Sequence, residues 1–117
     1  QPVPAQGLVQ LHLPVAAVTG GMIEAEILLA DRFGNLQLAA TVADLDTAGL
    51  VLGSRLRVHA RPAVCCATFA EIPEGGLGLL PDAFGRLQIA VNQGSAARLL
   101  GLRPGQTVTV TARPSPG

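Results

Sequence analysis

Apolar and polar residues alternate with period two along much of the chain. Leu11, Leu13 and Val15 alternate with His12 and Pro14. In "MIEAEILLA" (22–30), Ile23, Ala25 and Ile27 alternate with Glu24 and Glu26. Leu56, Val58 and Ala60 alternate with Arg57, His59 and Arg61, and Val108, Val110 and Ala112 with Thr109 and Thr111. That period turns one face of each segment to a core and the other to water, so these are predicted half-buried strands. Two stretches read as short helices. "TVADLDTAGL" (41–50) has Thr41 and Asp44 at capping-box spacing. "SAARLLGLRPG" (95–105) has Ser95 as N-cap, Gly101 just past the helix, and Pro104-Gly105 as a stop. Many short strands, Gly/Pro turns and little helix predict an all-β domain, a small closed β-barrel built from related hairpins with one or two short helices. Pro- and Gly-rich ends divide the chain into a linker or first strand (1–19), the barrel (20–112) and a tail (113–117).

One phrase is written twice. "DRFGNLQLA" (31–39) and "DAFGRLQIA" (82–90) agree in six of nine letters. Each copy joins two apolar runs, which predicts a hairpin with the tip Asp-x-Phe-Gly-x. The Gly supplies positive φ without steric cost, and the Asp accepts hydrogen bonds from the amides of its own turn. Two such tips either converge on one ligand or result from a duplication that closes a barrel.

Composition narrows the function. The 117 residues suit one domain with a core of its own. Three Phe, no Trp and no Tyr leave the core to Val, Leu, Ile and Ala. Charged residues are 14 %, which predicts either a surface covered by another domain or subunit, or the Ala-, Gly- and Pro-rich usage of a GC-rich genome. The net charge is zero and every cation is Arg, so no basic stripe exists for nucleic acid. Arg55, Arg57, His59 and Arg61 read as the solvated face of a strand. No apolar run is long enough to cross a bilayer as a helix, and no membrane role is predicted. Cys65-Cys66 would point to opposite faces of a strand, with only His12 and His59 as further ligands, so the pair reads as two buried thiols in a reducing, cytoplasmic compartment and no metal is expected. The chain begins at Gln1 with Met22 as its only Met, from which an upstream part is expected.

The order "DRFGN", "TFAEIPEGG" (68–76), "DAFGRLQIAVNQGSAARLLGLRPGQTVTV" (82–110) resembles the C-terminal domain of the S-adenosyl-L-methionine (SAM) hydroxide adenosyltransferases, relatives of the bacterial fluorinase. The likeness covers residues 20 to 112. It implies a barrel that binds the nucleoside, while an N-terminal α/β domain, absent here, positions water against the ribose. It also implies homotrimers, SAM as substrate with no cofactor, and no catalytic residue in this chain, which alone should be inactive.

The resemblance places Asn35 on the adenine edge, Phe33 on the pocket wall, Phe69 as the stacking ring, and backbone near Val91 and Gln93 on the base. Asp31 falls on or near a carboxylate that faces the methionine amine. Ala83 and Phe84 fall on the methionine-facing tip. There Ala83 stands where the family often has Ser, and Phe84 where the fluorinase has Arg, which argues against fluorination. "LQLAAT" replaces the Thr-Asn that often follows the first tip. A structural or oligomerisation barrel without ligand is the alternative reading, and a standalone nucleoside-binding domain a third.

Overall fold

The computed structural model describes residues 16–112. The strand read around Leu11 to Val15 and the readings of the two ends lie outside the described residues. Eight strands run as β1 (Ala16–Thr19), β2 (Met22–Ala30), β3 (Leu36–Thr41), β4 (Arg55–Val58), β5 (Arg61–Cys65), β6 (Leu77–Pro81), β7 (Arg86–Val91) and β8 (Thr107–Ala112). Two short helices, α1 (Val42–Ala48) and α2 (Ala96–Leu100), and a 3₁₀ turn (Phe69–Glu71) complete the described elements.

Seven strands close in the order β2-β3-β7-β6-β5-β4-β8, because β8 pairs with both β4 and β2. Closure gives each of the seven strands a partner on both sides, although β5 and β6 are joined at only two residue pairs. β1 extends the wall as a hairpin on the first half of β2, and β3 takes the same edge along its second half. Every pairing is antiparallel except β5–β6.

The period-two segments bury most of the residues that the alternation selects, though Ala112 at the end of β8 is exposed, and β3 and β7 add Leu36, Leu38, Leu87 and Ile89. Ile23, Ala25, Ile27, Leu36, Leu38, Leu56, Val58, Leu87, Ile89, Val108 and Val110 point inward. Each buried Val, Leu or Ile contributes about 1.5–3 kcal/mol of transfer free energy. No aromatic ring enters this core: all three Phe are exposed. Both helices form where their caps lie. Asp44 Oδ2 accepts from the Thr41 amide at 2.8 Å and Ser95 Oγ from the Arg98 amide at 3.2 Å, with Gly49 and Gly101 left-handed behind them.

One strand reading is corrected. Leu56, Val58 and Ala60 do not share a strand, because β4 ends at Val58 and a two-residue turn at His59-Ala60 sends the chain back as β5. His59 takes a φ of 54° at this turn, and Ala60 is exposed. Nothing in the alternation marks the reversal, since neither residue is Gly, Asn or Asp.

Cys65 and Cys66 are both free and buried, on opposite sides of the wall. Cys65 belongs to the barrel core, and Cys66 packs outside it with Ile72, Leu80 and Ala90. This outer cluster pins the loop between β5 and β6 across the barrel. Gly78 permits it, since a Cβ there would meet the Ile72 side chain at 2.6 Å.

Candidate functional site

The two copies of the repeated phrase fold into the same turn. Asp31 N donates to Asn35 O (3.0 Å) and Gly34 N to Asp31 O (2.9 Å); Asp82 N donates to Arg86 O (2.7 Å) and Gly85 N to Asp82 O (3.2 Å). Each Asp Oδ1 accepts two amides, Phe33 and Asn35 in the first tip, Phe84 and Arg86 in the second, at 2.8–3.0 Å. Gly34 and Gly85 sit at φ 86° and 82°, which closes the turn and which any side chain would strain.

The tips do not converge. β3 and β7 each begin at a tip and pair antiparallel, Leu36 with Ile89 and Thr41 with Arg86, so the tips lie at opposite ends of this ladder. The first tip leans on α2. Ala97 N donates to Gly34 O at 2.9 Å, and a Cβ on Gly34 would overlap the Ser95 hydroxyl.

Beside the first tip lies a cleft of about 400 Å³ lined by Phe33, Asn35, Phe69, Val91, Gln93 and Gly94. Three elements build it. The turn presents Phe33 and Asn35. The loop between β5 and β6 presents Phe69, held by the buried Ile72 three residues on and by Asn92 Nδ2, which donates to Ile72 O at 2.7 Å. The end of β7 supplies Val91 and a turn in which Gly94 N donates to Val91 O (3.3 Å) and Gln93 adopts φ 66°. A left-handed Gln costs about 1 kcal/mol or more, and such positions concentrate at binding sites.

Two rings stand out to solvent at the cleft, Phe33 at 64 % and Phe69 at 45 % exposure. Arg32 places its guanidinium 5.0 Å from the centre of the Phe33 ring, a cation–π contact. Asn35 Nδ2 donates to Asp31 Oδ2 at 3.1 Å. A carboxylate only accepts, so this bond fixes which end of the Asn35 amide is nitrogen. One Nδ2 hydrogen and Oδ1 remain for a ligand.

Five of the eight residues singled out in the sequence, Phe33, Asn35, Phe69, Val91 and Gln93, meet in this cleft. Asp31 supports it from behind, with three acceptor sites used by its own turn. Ala83 and Phe84 stand at the other tip, with Phe84 92 % exposed. A single side-chain bond ties that tip to the first hairpin, Gln37 Nε2 to Asp82 Oδ2 at 2.9 Å. Burial pulls the Asp82 carboxyl upward, and hydrogen bonds from Phe84, Gln37 and Arg86 with the Arg86 charge more than offset it, leaving it below its usual value. Sequence reasoning did not place Gly94 in the cleft, Arg32 on the Phe33 ring or the N-cap Ser95 against Gly34, and this last approach joins residues 61 apart (95 − 34).

A family model described as the SAM hydroxide adenosyltransferase C-terminal domain matches residues 25–109, which hold every cleft residue. The chain belongs to that family. It is 45 % identical over 105 residues to an (R)-S-adenosyl-L-methionine hydrolase of Salinispora arenicola, across 90 % of this chain and 39 % of the relative. A Thermus thermophilus protein of the same name is 39 % identical, across 91 % of this chain and 37 % of its own length. The chain therefore spans less than two fifths of these relatives. Among solved structures, an uncharacterized conserved protein from Thermotoga maritima superposes with TM-score 0.76 at 25 % identity, across 88 % of this chain and 40 % of that one. A conserved hypothetical protein from Thermus thermophilus gives 0.62 at 36 % identity, across 93 % and 41 %. As a C-terminal domain of this family, the described barrel holds no cluster of three or more metal-ligating side chains, and no helix among the described residues is long and apolar enough to cross a membrane.

Proposed function

We propose that this chain is the adenosine-binding half of a SAM hydrolase, which splits SAM with water into adenosine and methionine. The observation that carries the reading is the cleft itself: two solvent-facing rings flank a side-chain amide whose orientation is locked. The volume of about 400 Å³ suits a small ligand, since such sites span roughly 300–1,000 Å³. Stacking on one exposed ring contributes about 1–3 kcal/mol per base and needs only a flat face. The free Nδ2 hydrogen of Asn35 donates to adenine N7, and its Oδ1 accepts from the N6 amine. Gln93, held left-handed, turns backbone groups of the 91–94 turn toward the base.

In this reading Asp31 keeps one Oδ2 acceptor site for the ammonium of the methionine moiety. Activation of water belongs to the rest of the parent protein, a cytoplasmic homotrimer in which an α/β domain completes the site. SAM is the substrate and no cofactor takes part.

The test is calorimetry of the chain with adenosine and with inosine. Inosine replaces the N6 amine by an oxygen, which sets an acceptor against Asn35 Oδ1. Adenosine should bind at least about tenfold tighter, and Asn35→Ala should remove the preference. Equal binding of the two nucleosides would reject the assignment. Phe84, almost fully exposed and outside the cleft, favours the alternative of a structural or oligomerisation barrel. That alternative predicts no binding of either nucleoside, here or in the parent.

A further inference from the structure

A second cleft opens in the barrel wall, and it shares no residue with the first. It lies where β5 meets β6, the one parallel pairing. Only two residue pairs join these strands, Val64 with Gly78 and Cys65 with Leu79. Before Val64 the seam stands open. Pro62, in β5, has no N–H to donate across the seam, and Pro73 lines the other lip ahead of β6. The opening is therefore written into the sequence.

The cleft holds about 400 Å³. Its walls are Pro62, Val64, Pro73 and Leu77 on the apolar side, with Arg55 and Arg57 along one rim. Cross-strand pairing sets each Arg beside an apolar neighbour, Arg55 opposite Val64 and Arg57 opposite Pro62. Both Arg are exposed, and no carboxylate lines the cleft. Arg57 spends one donor on Ala60 O at 3.3 Å, and its remaining donors are available. The Arg stems cover apolar surface while their heads meet water.

We propose that this seam is a second ligand site, for an organic anion with an apolar body. The carboxylate or phosphate of such a ligand would rest on Arg55 and Arg57, and its hydrocarbon part along Pro62, Val64, Pro73 and Leu77. Both parts are required. An exposed ion pair alone contributes little, whereas a ligand that also covers apolar wall gains from its burial. The proposal is independent of nucleoside binding at the first cleft.

Octanoate tests it, with acetate as the head group alone and 1-octanol as the uncharged chain. Amide shifts of the chain are followed by NMR. Octanoate should give saturable shifts at residues 55–57, 62–64 and 73–77 with a Kd of about 5 mM or tighter. Acetate and 1-octanol should each bind at least about tenfold more weakly. The double variant Arg55→Gln, Arg57→Gln alters two exposed side chains, so its unperturbed amides should keep their positions while octanoate binding falls about tenfold or more. Adenosine-induced shifts should be the same in both proteins. Octanoate shifts that fail to saturate, that match those of 1-octanol, or that survive in the double variant would overturn the proposal.

Discussion

The Asp31 carboxylate holds Asn35 twice, accepting from the Asn35 backbone amide at Oδ1 (3.0 Å) and from Asn35 Nδ2 at Oδ2 (3.1 Å). The second bond decides which half of the Asn35 side chain faces as donor. Removing the carboxylate in Asp31→Ala should cost about 1 kcal/mol of stability, because two turn amides lose their acceptor. It should also free the Asn35 amide to flip, so the adenosine-over-inosine preference should shrink while Asn35 is still present. Urea unfolding and paired calorimetry measure the two effects separately. Asp31→Asn offers one carbonyl oxygen to the turn amides and should recover much of the stability.

The two tip glycines provide an internal control. Gly85→Ala meets only the backbone strain at φ 82°, with open space around the new Cβ, and should cost about 1 kcal/mol. Gly34→Ala adds a collision with Ser95 and should cost about 2–3 kcal/mol. Thermal melts of both variants check the difference. Equal losses would mean that the first tip does not lean on α2.

The Asp82 carboxylate should make the second tip sensitive to acid. Its folded pKa lies below the ordinary value of an aspartate, so its contribution is present above the unfolded pKa and is lost as pH falls through the folded one. Urea midpoints should drop on acidification below about pH 4, and less steeply in Asp82→Asn. Gln37→Ala should weaken the same dependence, since Gln37 is one of the groups that holds the carboxylate ionised.

Burial, then the charge of Glu71 and the neighbouring Cys65, push the Cys66 thiol up to about 11. Burial raises Cys65 as well. At about pH 8 both should react slowly with a disulfide reagent in the folded chain and rapidly after denaturation. Fast labelling of the native protein would contradict the two-sided burial of this pair.

Much of the fold was legible because its signals are local. Alternation marked β2 and β8, Ser95 and Gly101 bounded α2, and Asp-x-Phe-Gly marked both tips. The turn at His59-Ala60 was not legible, because a left-handed His is selected by the pairing of Val58 with Arg61 and not by turn chemistry. The strand order was equally hidden. Period two says that Leu36 and Ile89 face inward, but not that they pair, and that pairing is what sends the two tips to opposite ends. The site was reached through resemblance more than through physics. Phe33, Asn35 and Phe69 stand 36 residues apart at most (69 − 33), and the last reaches the first two through a loop held by the buried Ile72 and by bonds to Asn92.

The most direct test of the central claim is an NMR titration of the chain with adenosine. Saturable amide shifts at residues 33–35, 69 and 91–94, which in Asn35→Ala need at least about tenfold more adenosine while the rest of the spectrum is unchanged, are the predicted result. Absence of shifts at millimolar adenosine, or shifts that Asn35→Ala leaves intact, would contradict it.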